Sequence, residues 1–209
     1  MNESNKMHWD TIYETKTPHE VSWTQEIPHT SLEFIRSLPV DKKAKIIDIG
    51  GGESKLVDFL LAEGYENITV LDISAKALEK TKNRLGEKAG KVKWIVTDIT
   101  EFIPSETYDI WHDRAVFHFL ISSDKIEKYK TIIKKSIKGY FIIGTFSEKG
   151  PTKCSGLDIK QYNENDLGSL FNDGFRKINC VVEDHKTPFD TIQNFTFCSF
   201  ERDNKSQGQ

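Results

Sequence analysis

The sequence predicts an α/β fold: a mostly parallel sheet with helices on both of its faces. Three observations predict it. Short β-branched runs alternate with amphipathic helical stretches, glycines or small capping residues mark the junctions, and acidic side chains recur where strands end. Alternation of this kind favours right-handed crossovers, and those make neighbouring strands parallel.

Taken in order, Leu32, Ile35 and Leu38 share one helical face, and Pro39 closes that segment. Residues 45–49 are a β-branched run that stops at Gly50, Gly51 and Gly52, as a buried parallel strand does. A helix is predicted from about Ser54 to Glu63, with Leu56 and Leu60, and Val57 and Leu61, paired one turn apart and Gly64 as its stop. Residues 68–71 form the second strand, and Ser74 caps a helix that ends near Leu85 and Gly86. Residues 92–96 and 108–111 are the third and fourth strands. Ser123 caps a long helix carrying Ile126, Tyr129, Ile133 and Ile137, and residues 140–143 are the fifth strand. The last third breaks the alternation. Residues 175–182 and 194–200 are extended runs with a Pro-containing connection, read as an antiparallel pair at the sheet edge. The polar ends, 1–6 and 203–209, are expected to fray.

A chain of 209 residues fits one domain. Lysine and arginine total 29 against 32 acidic residues, a net charge of −3 that gives no electrostatic reason to expect nucleic acid or an acidic membrane as partner. No apolar run reaches the roughly 18–20 residues that cross a bilayer, and the first ten residues lack the core of a signal peptide. A cytoplasmic protein is expected. Cys154, Cys180 and Cys198 are odd in number and widely spaced, so reduced thiols are predicted, with neither a disulfide nor a metal site.

The strongest local signal is the glycine turn between a strand and a helix, Asp48 to Ser54. Glycine lets the backbone turn tightly and lets a ligand approach the peptide plane. The turn does not match the dinucleotide pattern G-x-G-x-x-G, nor does it end in the Lys-Ser/Thr of a phosphate loop. Asp72 ends the second strand, where a carboxylate accepts hydrogen bonds from ribose hydroxyls, and Asp98 follows the third, where one accepts the exocyclic amine of adenine. Asp48, Asp72 and Asp98 thus fall at the carboxyl edge of the sheet, where open α/β sheets bind ligands.

Asp48-x-Gly50-x-Gly52, Leu71-Asp72-Ile73-Ser74 and Thr97-Asp98-Ile99 resemble successive motifs of class I S-adenosylmethionine (SAM)-dependent methyltransferases, in order and spacing, over residues 46–200. The resemblance implies a Rossmann-like, seven-stranded, mostly parallel sheet of order 3-2-1-4-5-7-6 with strand seven antiparallel. It implies SAM as cofactor, with Gly50 and Gly52 at its amino-acid part, Asp72 at the ribose, and Asp98 and Ile99 at the adenine; Asp48, Gly51, Ser54 and Ile73 are further candidate cofactor contacts. Ser54 stands where the family often has a third glycine; it is small and suits a helix cap.

Residues 108–119 form the expected wall beside the methyl group. His112, Asp113 and His118 are its candidate acids and bases, each with the plainer reading of a packed, hydrogen-bonded residue. Asp113 is also a candidate cofactor contact. Arg114 is expected to pair with Asp113, or else to clamp a substrate carboxylate. Residues 1–40 are read as an N-terminal helical cap whose Trp9, Tyr13 and Trp23 line the cofactor or acceptor side, or else pack on the outer sheet face. The long loop after strand five, residues 147–160, is expected to cover the acceptor pocket, with Cys154 within it; His185 and Gln193 are read as loop anchors. Methyl transfer to a small-molecule acceptor is the function these residues favour. Methylation of a protein side chain, an NAD-dependent oxidoreductase and a non-catalytic scaffold are the alternatives.

Overall fold

The computed structural model describes residues 3–203 and contains a seven-stranded sheet of order β3-β2-β1-β4-β5-β9-β8. The chain opens with helix α1 (Glu3–Thr15), a short 3-10 turn and helix α2 (His29–Arg36). Then come β1 (Lys45–Ile49), α3 (Leu56–Ala62), β2 (Asn67–Asp72), α4 (Ala75–Leu85), β3 (Val92–Val96), β4 (Tyr108–Arg114), α5 (Ser123–Ser136) and β5 (Ile137–Phe146). A small hairpin of β6 (Lys153–Cys154) and β7 (Leu157–Asp158) and helix α6 (Glu164–Phe171) precede the closing pair, β8 (Phe175–Lys186) and β9 (Ile192–Arg202).

Strands β1 to β5 pair parallel with one another, whereas β9 runs antiparallel to both β5 and β8. Once the two-stranded hairpin is set aside, this is the predicted order. Two apolar layers fill the faces. One side packs Tyr129 and Ile133 of α5 and Leu167 and Phe171 of α6 against Trp111 and Phe141. On the other side Leu32, Ile35, Leu56, Leu60 and Leu78 cover Ile46, Ile68 and Ile110. Fully burying a side chain of this size stabilises by about 1.5–3 kcal/mol, so these layers hold the strand ends in register.

Several expectations need correction. Glu3 to Lys6, expected to fray, are helical: they form the first turn of α1, where Lys6 Nζ donates to Asp10 Oδ2 at 2.6 Å. Asp203, also expected to fray, donates its N–H to Gly174 O at 3.0 Å; the expectation for Met1, Asn2 and residues 204–209 lies outside the described residues. Ser122, not Ser123, is the N-cap of α5, and that helix passes directly into β5 at Ile137. Helix α6 was not anticipated, although Asn163 and Asp166 form a reciprocal capping box at its start. Strand β4 is longer than predicted and reaches Arg114.

Cys180 and Cys198 are joined in a disulfide, against the predicted free thiols, and only Cys154 is a free cysteine. The two are direct partners in the β8–β9 register. Spacing rules that look for nearby cysteine pairs do not see residues brought opposite one another by a hairpin.

Candidate functional site

A cavity of about 250 Å³ opens at the carboxyl ends of β1, β2, β3 and β4. Of the predicted site residues, Trp9, Tyr13, Asp48, Gly50, Gly51, Ser54, Asp72, Ile73, Asp98, Ile99 and His112 all line it. Asp113 and His118 do not, and Gly52 stands just behind Tyr13 and Asp72.

The glycine turn is sterically determined. Gly50 has φ +65° and its N–H donates to Leu71 O at 2.7 Å; a Cβ there would lie 2.0 Å from Val116 Cγ2. A Cβ on Gly51 would meet Asp48 Oδ2 at 2.7 Å. At Gly52, φ +41°, it would fall 2.9 Å from the Tyr13 hydroxyl and 3.0 Å from Asp72 Oδ2. A side chain at any of the three would invade the cradle.

Asp72 is buried, and its Oδ1 accepts the Ser74 N–H at 2.8 Å. Burial first, then the nearby Asp48 and Asp10 charges, push its carboxyl up to about 7, against the pull of the Ser74 and Gly52 N–H groups. Among the described residues no cation pairs with it. This is a carboxylate suited to hydroxyl donors, and beside a cradle without Cβ atoms it fits a nucleoside ribose. The Asp98 carboxylate caps a 3-10 turn by accepting from the Thr100 N–H and hydroxyl at 2.9 and 2.8 Å. Helix α1 lies over this end. Asp10 Oδ1 accepts from the Ser74 hydroxyl at 2.7 Å, which pins α1 to the start of α4, and Tyr13 is buried with its hydroxyl held neutral by that burial.

Parity along β4 sorts the other candidates, because alternate side chains leave opposite faces of a strand. His112 and Arg114 point to the cavity side, whereas Trp111 and Asp113 point under α5. His112 Nδ1–H faces Asp48 Oδ1 at 2.7 Å, and its Nε2 meets the Ser31 hydroxyl at 2.9 Å. Asp113 accepts from the Tyr129 hydroxyl at 2.7 Å and from the Val116 and Phe117 N–H groups at 3.1 and 3.2 Å. Burial raises its carboxyl to about 6, and these donors oppose that. It holds the turn after β4, where Ala115 takes φ +68°. His118 stacks on Phe146, its Nδ1 accepts the Phe146 N–H at 3.3 Å, and burial followed by the Arg114 charge lowers it to about 3.

The expected Arg114–Asp113 pair is absent. Arg114 Nη1 donates to the Trp23 carbonyl at 3.1 Å, and its guanidinium lies 4.6 Å from the centre of the Phe195 ring. Trp9, Tyr13, Trp23 and Phe119 form the apolar wall, with Trp9 5.7 Å from Trp23 and 5.3 Å from Phe119 between ring centres. Cys154, carried in by the small hairpin, completes it; burial raises its thiol to about 11. His185 Nε2–H and Gln193 Nε2–H donate to Ser22 at 2.8 and 3.0 Å and so tie the segment carrying Trp23 to β8 and β9. Ser31 and Asp10 belong to no motif recognisable in the sequence.

Residues 46–138 match the family model described as a methyltransferase domain. Zebrafish (Danio rerio) EEF1A lysine methyltransferase 2 is 25% identical over 211 residues, spanning 92% of this chain and 80% of that protein. Malonyl-[acyl-carrier protein] O-methyltransferase of Anoxybacillus flavithermus is 30% identical over 106 residues, 50% of this chain and 39% of that protein. Among solved structures, a SAM-dependent methyltransferase from Anabaena variabilis shares the fold with a TM-score of 0.75 at 14% identity, covering 97% of this chain and 96% of that one. Residues 46–138 thus carry a methyltransferase domain, and these matches, with the glycine cradle and the acids at the strand ends, support a class I SAM-dependent methyltransferase with SAM as its cofactor.

Proposed function

We propose that residues 1–209 act as one methyl-transfer domain, with residues 1–40 as its cap, and that the acceptor is a small molecule enclosed under that cap. The observation that carries this reading is the roof. Trp9 and Tyr13 of α1 and Trp23 of the following segment lie over the cavity, and Asp10, Ser22 and Trp23 are each tied to the body of the domain.

In this reading Gly50, Gly51 and Gly52 take the amino-acid end of SAM, Asp72 and Ile73 the ribose, and Asp98 and Ile99 the adenine, with Ser54 beside the turn. SAM supplies an electrophilic methyl group on a sulfonium whose positive charge disappears as the methyl leaves. The chain's part is to align a nucleophile and keep water out. The aromatic wall excludes water. His112, with its ring nitrogens against Asp48 Oδ1 and the Ser31 hydroxyl, holds Asp48 in place. His118, at about 3 and outside the cavity lining, is neutral but too weak a base near neutral pH. The acceptor therefore enters with its lone pair already free.

A second reading, methylation of a protein lysine, is favoured by the likeness to EEF1A lysine methyltransferase 2 over most of the chain. Incubating the full chain with methyl-labelled SAM and a cell extract separates the two. Label in small metabolites is expected; label confined to protein overturns the small-molecule reading.

A further inference from the structure

Arg114 is the one cavity-lining arginine on β4, and its hydrogen bonding is lopsided. Nη1 is spent on the Trp23 carbonyl at 3.1 Å, while Nε and Nη2 are buried without any hydrogen-bond partner. Those two nitrogens share one edge of the guanidinium. They present two parallel N–H groups, the fork that matches a planar carboxylate. The ring of Phe195 at 4.6 Å and the Trp23 carbonyl hold the guanidinium plane in place.

The acids nearby do not fill it. Among the described residues Arg114 has no ion pair. Glu183 is the nearest acid in effect but forms no ion pair with it: Glu183 Oε1 accepts from Gln25 Nε2 at 3.5 Å and its Oε2 is buried without a hydrogen-bond partner, while Asp48 is bonded to His112. Asp113, the neighbour in sequence, faces the opposite side of the sheet. Guanidinium nitrogens buried in this way have surrendered hydration, which is costly unless an anion replaces it. Cys154, which lines the same cavity, is held as the neutral thiol by burial and does not supply that anion.

We infer that the methyl acceptor is a small carboxylic acid whose carboxylate docks on the Nε–Nη2 edge of Arg114. This rests on the small-molecule reading above and deepens it. The roofed end of the cavity then works as an anion-reading pocket: Arg114 orients the acceptor, and the aromatic wall closes over its apolar part.

The test uses the full chain, methyl-labelled SAM and a metabolite extract split by ion exchange into anionic, neutral and cationic fractions. Label is expected from the anionic fraction. Label arising only from the neutral or cationic fractions overturns the inference. Label in no fraction, while S-adenosylhomocysteine still binds, overturns instead the small-molecule reading on which it rests. With the active fraction in hand, Arg114→Gln should raise the acceptor KM or lower kcat/KM by about 10- to 100-fold, the loss of a charge-assisted pair. Its dissociation constant for S-adenosylhomocysteine should stay within about twofold. Arg114→Lys, which keeps the charge and loses the fork, should fall between the two proteins. Equal kcat/KM for wild type and both variants overturns the inference; if Arg114→Gln fails to fold, the fractionation and the lysine variant still decide.

Discussion

Replacing Asp72 by Asn should make the ligand-free protein more stable above pH 7 while loosening its hold on the cofactor. The folded carboxyl sits at about 7 against an ordinary 3.8, chiefly because it is buried. A carboxyl whose folded pKa exceeds its unfolded one holds its proton more tightly when folded. Its contribution to stability is therefore fully present below about 4 and is lost as pH rises to about 7. From 3.8 to about 7 is a difference of about 3, and at about 1.4 kcal/mol per pKa unit the ionised group costs about 4 kcal/mol above neutrality. The amide escapes that cost but sets its own N–H donors towards the Gly52 N–H, so a net gain of about 1–3 kcal/mol is expected. Urea unfolding without cofactor at pH 4, 6 and 8 measures it. The gain should appear at pH 8 and vanish at pH 4, where the wild-type carboxyl is already neutral. Calorimetry at pH 8 should show S-adenosylhomocysteine bound about 10- to 100-fold more weakly. A variant less stable than wild type at pH 8, or a stability difference independent of pH, would refute the claim that Asp72 is a buried, cation-free carboxylate.

Gly50→Ala should cost about 2–4 kcal/mol, from positive φ plus the Val116 clash, whereas Gly64→Ala, at φ +85° with nothing within 4 Å of the new Cβ, should cost only the backbone part, about 1–2 kcal/mol. Equal losses in urea unfolding would show that Val116 yields freely. Thiol titration of the denatured, unreduced protein should find one reactive cysteine, Cys154, and three after reduction; reduction should lower stability by about 3 kcal/mol for a closure spanning 18 residues. Three thiols without reduction would contradict the Cys180–Cys198 bridge.

The sheet was legible because each parallel strand is a short buried run with a capped helix after it, as residues 45–49 and 68–71 illustrate. Helix α6 was harder to see. It is only eight residues long, and its capping box begins with Asn163 in a stretch that reads as loop. At the site, Asp48, Asp72 and Asp98 were legible as strand-end acids, and the cavity gathers them. Residues 112–118 were harder. They were read as one linear wall, yet strand parity sends His112 and Asp113 to opposite faces, and the turn at Ala115 carries His118 behind Phe146. Applying the two-residue period through Arg114 would have singled out that side chain and set Asp113 aside. Ser31 and Asp10 carried no signal, because their partners, His112 and Ser74, are 81 and 64 residues away.

The same dispersal has a practical consequence. Trp9, Ser31, Asp48, Asp72, Asp98, Arg114 and Cys154 come from segments spread over most of the chain, so no excised fragment retains the complete chamber. Cofactor affinity is then an integral readout of global folding. Saturation at 100 times the dissociation constant should add about 2.7 kcal/mol to the unfolding free energy. A lesion as remote as the β8–β9 hairpin, by loosening its grip on Ser22, will register as a weaker ligand.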